Sequence, residues 1–321
     1  MSGQLSREQI FLLAAWFEAI AYGLFLCLFC GTMLFALGSK HRSDNHSKIM
    51  FCISFVMFAI STTHMSMNGW RVLQGFSVHS DNVFAYLDNL TRWDQVFKDT
   101  LYVTQELLGG AAAIYRCFIV WNSRWRVIAL PLLLLVGGAV SGYGICFQFT
   151  QAKTNPSIFV EPLSSWIYSF YSLAVAQNII TTALLAFCPW RAAMRSAKYK
   201  TEKKNFLLPI VRILIESAAL QLFVEILLLA LYSQKVDAQD ILLELVTPAV
   251  GITFNAITIR LKLRAMQNSS STSVFSTSDP VQTIGHLPMK RIRVDISREI
   301  EDDADAKPTL RGGSNDQLSA V

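Results

Sequence analysis

IFLLAAWFEAIAYGLFLCLFCGTMLFAL, residues 10–37, runs through 28 residues with a single charged side chain, Glu18. A helix rises 1.5 Å per residue, so about 20 apolar residues cross a hydrocarbon core. The stretch is long enough to do so. Six more follow at 49–73, 100–121, 127–149, 166–187, 206–232 and 241–263. The pattern predicts an all-α fold, an integral membrane bundle of seven helices over 10–264. An extracellular segment, 1–9, precedes it, and a tail, 265–321, follows. The first stretch reads as a true span rather than a cleaved signal: a secretory apolar region runs about 7–15 residues. This one is longer, holds Glu18 and has no A-x-A site in a plausible position.

Composition agrees. The chain is 52% apolar and 16% charged, with a mean hydropathy of +0.37, values typical of membrane proteins. Its net charge of +5 does not point to nucleic acid, because the basic residues sit in loops between spans. They set orientation instead. Lys40, Arg42, Lys48, Arg124, Arg126 and the run from Arg191 to Lys204 fall on one side, with Arg260, Lys262 and Arg264. That side holds 14 basic residues against 5 on the other (Arg7, Arg92, Lys98, Lys153, Lys235). The expectation is an N-terminus outside, a C-terminus in the cytosol and a place in the plasma membrane.

Cys27, Cys30, Cys52 and Cys146 lie within spans, and no cysteine falls in an outside loop, so no extracellular disulfide is expected. Cys117 and Cys188 lie near cytosolic ends, where a thiol is either palmitoylated or buried and inert. The outside loop 74–99 carries Asp81, Asp88, Asp94 and Asp99 and the triplet Asn89-Leu90-Thr91, a glycosylation acceptor if it faces the lumen. Two other triplets, at Asn45 and Asn268, fall on the cytosolic side. In the tail, 269–278 is nearly all Ser and Thr, and a basic patch (Lys290, Arg291, Arg293) precedes an acidic run from Glu299 to Asp305. So polar a segment buries too little surface to offset its ordering entropy and is expected to be disordered. It offers phosphorylation sites for a cytosolic partner, or is simply solvated.

Charges inside spans are costly and usually face protein or water. Glu18, His64, Glu106, Glu225 and Glu244 all fall in outer halves. Together they are candidates to line an acidic, outward-facing cavity for a cation, an amine or a proton. The simpler reading of Glu18 and Glu244 is that they reach the interface, while Glu106 and Glu225 admit both. In the inner half stand Arg116, Arg212 and Glu216. Arg212 and Glu216 are four apart and can pair along one face, and Arg116 can compete for Glu216 across the bundle, a candidate switch. Pro248 allows a kink in the last span, with Thr247 placed to satisfy a freed carbonyl. Gly137, Gly138, Gly142 and Gly144 mark a packing face.

Several chemistries are argued against. The last span has no deep lysine for a Schiff base, and His64 is the lone histidine of the spans, so no zinc-ligand cluster is legible. No phosphate-binding glycine loop or nucleophile elbow appears. No catalytic residue, metal or cofactor is expected, and the chain is not expected to be an enzyme.

TLYVTQELLGGAAAIYRCFIVWNSRWRVIALP (100–131), LLPIVRILIESAAL (207–220) and TPAVGITFNAITIRL (247–261) resemble a group of uncharacterised seven-span proteins expanded in mushroom-forming fungi. MFAISTTHM (57–65) and WIYSFYSLAVAQNIITTAL (166–184) fit it too, so the resemblance covers nearly all of 10–263. The chain departs from the group at Gly110, where an acidic residue commonly follows the glycine. The resemblance implies an integral membrane protein of the same topology and brings no established activity.

Two functions stay open. One is a receptor-like sensor for a small molecule, similar in topology to G-protein-coupled receptors, with basic inner loops and a tail for a cytosolic signalling partner. Tyr115-Arg116 sits where such receptors carry an acidic-Arg-Tyr motif, without the acidic residue, and Thr247-Pro248 stands in place of Asn-Pro-x-x-Tyr. The other is a proton- or cation-coupled transporter or channel, for which no inverted repeat is visible.

Overall fold

A computed structural model describes residues 7–38, 45–79, 82–152, 158, 161–198, 207–236 and 238–274. Over these the chain is helical and holds no strand: α1 (Arg7–Gly38), α2 (Asn45–Ser77), α3 (Val83–Leu87), α4 (Trp93–Val120), α5 (Trp125–Gln151), α6 (Leu163–Lys198), α7 (Leu207–Ser233) and α8 (Gln239–Val274). Five of them, α1, α2, α5, α6 and α8, are long and apolar enough to cross a membrane. Their outward faces are apolar too: Leu34, Leu133 and Phe147 are 72%, 69% and 63% exposed. Water would penalise such a surface and lipid would not. Trp70 and Trp93 project at one end of the bundle, Trp125 and Trp190 at the other, as interfacial indoles do. The chain is a membrane-embedded, multi-pass helical protein.

α4 carries Asp94, Lys98, Asp99, Glu106 and Arg116 and is too polar to join those five. Its place explains why. The long helices that follow one another in sequence pack side by side, α8 returns to α1 to close a ring, and α4 touches α2, α5, α6 and α8 from within. α8 is the other interior helix, 67% buried over its apolar segment against 22–28% for the other four. Many of the polar groups that lipid would reject ride on these two helices, and others, such as Glu18, His64 and Glu225, are buried on α1, α2 and α7. Among the described residues, the long apolar part of α7 is Ala218–Ser233.

Close approach depends on a few glycines. A Cβ at Gly142 of α5 would come within 2.6 Å of Val103 and 2.9 Å of Phe170, and one at Gly144 within 2.6 Å of Trp166. Gly137 and Gly138 are less crowded, so the expected packing face is real but concentrated in its last turn. Gly251 of α8 lies against Phe25 of α1, where a Cβ would sit 2.6 Å from a fully buried ring. Between α4 and α5 the turn is tight: Asn122 and Ser123 take positive φ (54° and 60°), and their amides reach back to Ile119 and Phe118 carbonyls. That closes α4 with the left-handed geometry typical of helix ends.

Two expectations shift. The outside loop is shorter than 74–99, because α4 starts at Trp93 and α3 folds within it. α8 runs through Val274, past the expected end of the bundle at 264, since extending an existing helix needs no new nucleus. The remainder of the expected tail (275–321), with its charge patches, lies outside the described residues, as do residues 1–6. All six cysteines are free. Cys117 is buried with its thiol on the Thr181 carbonyl, which removes it as an acylation site, while Cys188 stays partly open.

Candidate functional site

At the end of the bundle where α1 begins, a cavity of about 290 Å³ opens between α4, α6, α7 and α8. Lys98, Asp99 and Tyr102 face it from successive turns of α4, with Tyr171 from α6, Tyr232 from α7 and Glu244 from α8. Phe11 of α1 and the residues Asp88 and Leu90, between α3 and α4, close its rim. α3 is held there by charge. Asp94 accepts from Arg92 Nε at 3.2 Å and pairs by charge with Arg71, whose Nε lies 3.5 Å away, and the Arg71 guanidinium donates to the Leu87 carbonyl at 2.9 Å.

The wall is aromatic. Tyr102 meets Phe170 edge-on with centroids 6.0 Å apart, Phe170 meets Tyr171 at 5.9 Å, and Tyr171 meets Tyr232 at 5.6 Å. The Tyr232 hydroxyl donates to the Ile158 carbonyl at 2.6 Å, which fixes that ring. The lining charge is negative on balance: Asp88, Asp99, Asp240 and Glu244 against Lys98. Lys98 is committed to Glu244 Oε1. Asp99, half-buried, takes both its hydrogen bonds from Gln95 Nε2, at 2.8 and 2.9 Å.

Behind this wall the expected outer set divides in two. Glu18, His64 and Glu244 form one group, where α1, α2 and α8 meet. His64 Nδ1 donates to Glu18 Oε1 at 2.7 Å, and its Nε2 lies 3.7 Å from Glu244 Oε2. Asn68 donates to the second oxygen of Glu18 at 2.5 Å. Glu18 and Glu244 are 2% and 7% exposed, so neither reaches the interface as the simpler reading had it. Each finds a cationic or imidazole partner inside the bundle, which lowers the cost of burying it. The ligand atoms of Glu18, His64 and Glu244 also lie within 4.8 Å of one another, close enough for one metal ion. The Lys98 ammonium already stands on Glu244, however, and a second cation there would face it across one carboxylate. The set fits an internal ion-pair cluster better.

Glu106 of α4 and Glu225 of α7 form the second group, one turn deeper than Tyr102. Their carboxyl groups are within hydrogen-bonding reach of one another. Asn178 of α6 and Gln221 of α7 both donate to Glu225 Oε1, the latter at 2.9 Å. Neither glutamate lines the outer cavity; only Glu244 of the expected five does.

At the other end Arg116 does not turn to Glu216. Its guanidinium donates to the Phe254 carbonyl at 3.1 Å and the Thr258 hydroxyl at 2.9 Å, and stacks on the Phe254 ring at 4.3 Å. Glu216 is exposed and lies 3.5 Å from Arg260. Arg212 stands on α7, but its side chain lies outside the described residues. Two acceptors on α8 and the cation–π contact hold Arg116 more firmly than a single exposed carboxylate could. Near Pro248, the Thr247 hydroxyl is buried without a partner, and it is Gln105 of α4 that reaches the backbone, donating to the Thr247 carbonyl at 3.2 Å.

Asn89 lies in the connection between α3 and α4 at the cavity rim, its Oδ1 accepting from the amide and hydroxyl of Thr91 at 3.0 and 2.8 Å. Sequence reasoning missed Lys98, which it counted as a loop charge, and Asn68, Asn178 and Gln221, the neutral amides that serve the carboxylates. The spacing 98, 102, 106 held the signal, since steps of four put Lys98, Tyr102 and Glu106 on one face of α4. No family model, curated protein or solved structure matches the chain.

Proposed function

We propose that the protein is a receptor-like membrane sensor, not an enzyme, whose cavity takes a small organic cation, an aryl or alkyl amine. The observation that carries this reading is the joint character of the cavity: an unbroken aromatic wall with a carboxylate excess at one end of an apolar bundle. Tyrosine faces attract ammonium groups through the ring quadrupole, and Asp99 supplies the formal charge. At about 290 Å³ the cavity lies at the small end of ligand sites, which span about 300–1,000 Å³.

In this reading the chain spans the membrane seven times, with the N-terminus and cavity outside, in agreement with the 14 basic residues assigned to the cytosolic side. It sits in the plasma membrane and belongs with the fungal seven-span group it resembles. Cytosolic partners would use the basic loops and the tail. Two voids deeper in the bundle measure about 50 and about 10 Å³, too small to hold such an amine, so the outer cavity is the place for it.

One observation favours proton- or cation-coupled transport instead: the paired Glu106 and Glu225 midway along the bundle. Cells expressing the chain separate the two. Phenethylamine applied outside should raise a cytosolic response without accumulating, and Asp99→Asn should abolish the response. Accumulation that vanishes in Glu106→Gln or Glu225→Gln would replace sensing with transport.

A further inference from the structure

Glu106 and Glu225 pose an electrostatic problem that the described residues leave unsolved. They are 7% and 5% exposed, and their carboxyl groups lie within hydrogen-bonding reach of one another. Among the described residues no lysine, arginine or histidine forms an ion pair with either. Oε2 of each has no hydrogen-bond partner. Two ionised carboxylates at contact, out of water and without a counter-charge, repel strongly and each loses its hydration. Buried acids in that position neutralise instead.

The surroundings say how. From α6 come Asn178 and Gln177, neutral amides, and from α7 Gln221; Tyr102 stands one turn away on α4. The adjoining void of about 50 Å³ has Arg116 at its edge, but that guanidinium is held by Phe254 and Thr258. α8 faces the void with Val250, Thr253, Phe254 and Ile257, none titratable, and α5 faces the pair's other side with Leu135 and Gly138. Two amide donors converge on one oxygen of Glu225, which suits an anion there. Glu106 is then the natural acid.

We infer that Glu106 and Glu225 form a buried carboxylic acid–carboxylate dyad that binds one proton, a site separate from the outer cavity. The proton serves both carboxyl groups and removes the repulsion. The dyad does not depend on whether the chain senses or transports.

Infrared spectroscopy of the purified full-length chain in lipid nanodiscs tests it. At neutral pH the wild type should show the carbonyl stretch of a protonated carboxyl, shifted down in D₂O. The band should be lost in Glu106→Gln/Glu225→Gln and kept in Glu216→Gln, which alters an exposed carboxylate. Glu106→Gln alone should lose it as well, because the new amide donates to Glu225 in the proton's place; this variant carries the test if the double one does not fold. A wild type without the band, or a band that survives in these variants, overturns the dyad. So does a sodium site, which would appear as no band together with thermal stabilisation by sodium over choline chloride that Glu106→Gln removes.

Discussion

Lys98 and Glu244 show how strongly single residues are committed in this bundle. Each is more than nine-tenths buried, and each is the other's main counter-charge. Removing one partner leaves a charge uncompensated in a medium that solvates it poorly, at a cost of about 3–5 kcal/mol. Lys98→Met should therefore lower the thermal unfolding midpoint in detergent sharply, and Lys98→Met/Glu244→Gln should recover much of the loss. If the double variant is no more stable than the single one, the pair is not the reason Lys98 matters. The acidic half of this pair was legible, because a glutamate inside an apolar run stands out. The basic half was not: Lys98 sits among Asp94, Arg92 and Asp99, and such a cluster reads as loop until the helix is seen to start at Trp93. The neutral amides were invisible for a simpler reason, that an asparagine or glutamine in a span carries no charge to flag it.

Helices meet through a second polar junction farther along α8. Asn255 is fully buried, and its Oδ1 accepts from Thr32 of α1 at 2.8 Å and Ser54 of α2 at 2.7 Å. Its amide nitrogen donates to the Gly251 carbonyl at 3.0 Å. One buried side chain thus ties three helices. Asn255→Leu should cost about 1–2 kcal/mol, read as a lower unfolding midpoint, with the larger share from a Ser54 hydroxyl left unserved. One turn earlier, Gly251→Val should destabilise by about 1–3 kcal/mol, because Phe25 is fully enclosed and cannot step aside. Unchanged midpoints in both would mean that α8 does not seat against α1 as described. The apolar stretches located these helices well, since lipid and protein both demand apolar faces. Their ends were misplaced where lipid no longer decides: α4 extends outward on charged residues that its neighbours cover, and α8 continues past the apolar limit to Val274.

Across the whole molecule, the polar groups are graded from end to end. The aromatic, acidic cavity lies at the end where α1 begins, the carboxyl pair lies one turn deeper, and Arg116 is locked against α8 toward the other end. The orientation proposed for this gradient has a direct check at Asn89, which lies at the cavity rim. Any glycan shift on electrophoresis should vanish in Asn89→Gln, and a glycan at Asn45 would reverse the topology. Occupancy of the cavity is the most direct test of the functional reading, and calorimetric titration of the full-length chain in nanodiscs measures it. Phenethylamine should bind saturably and about tenfold or more tighter than phenethyl alcohol, which matches it in shape but lacks the charge, and Asp99→Asn should erase that preference. Equal binding of amine and alcohol, or a preference that survives Asp99→Asn, would contradict the account.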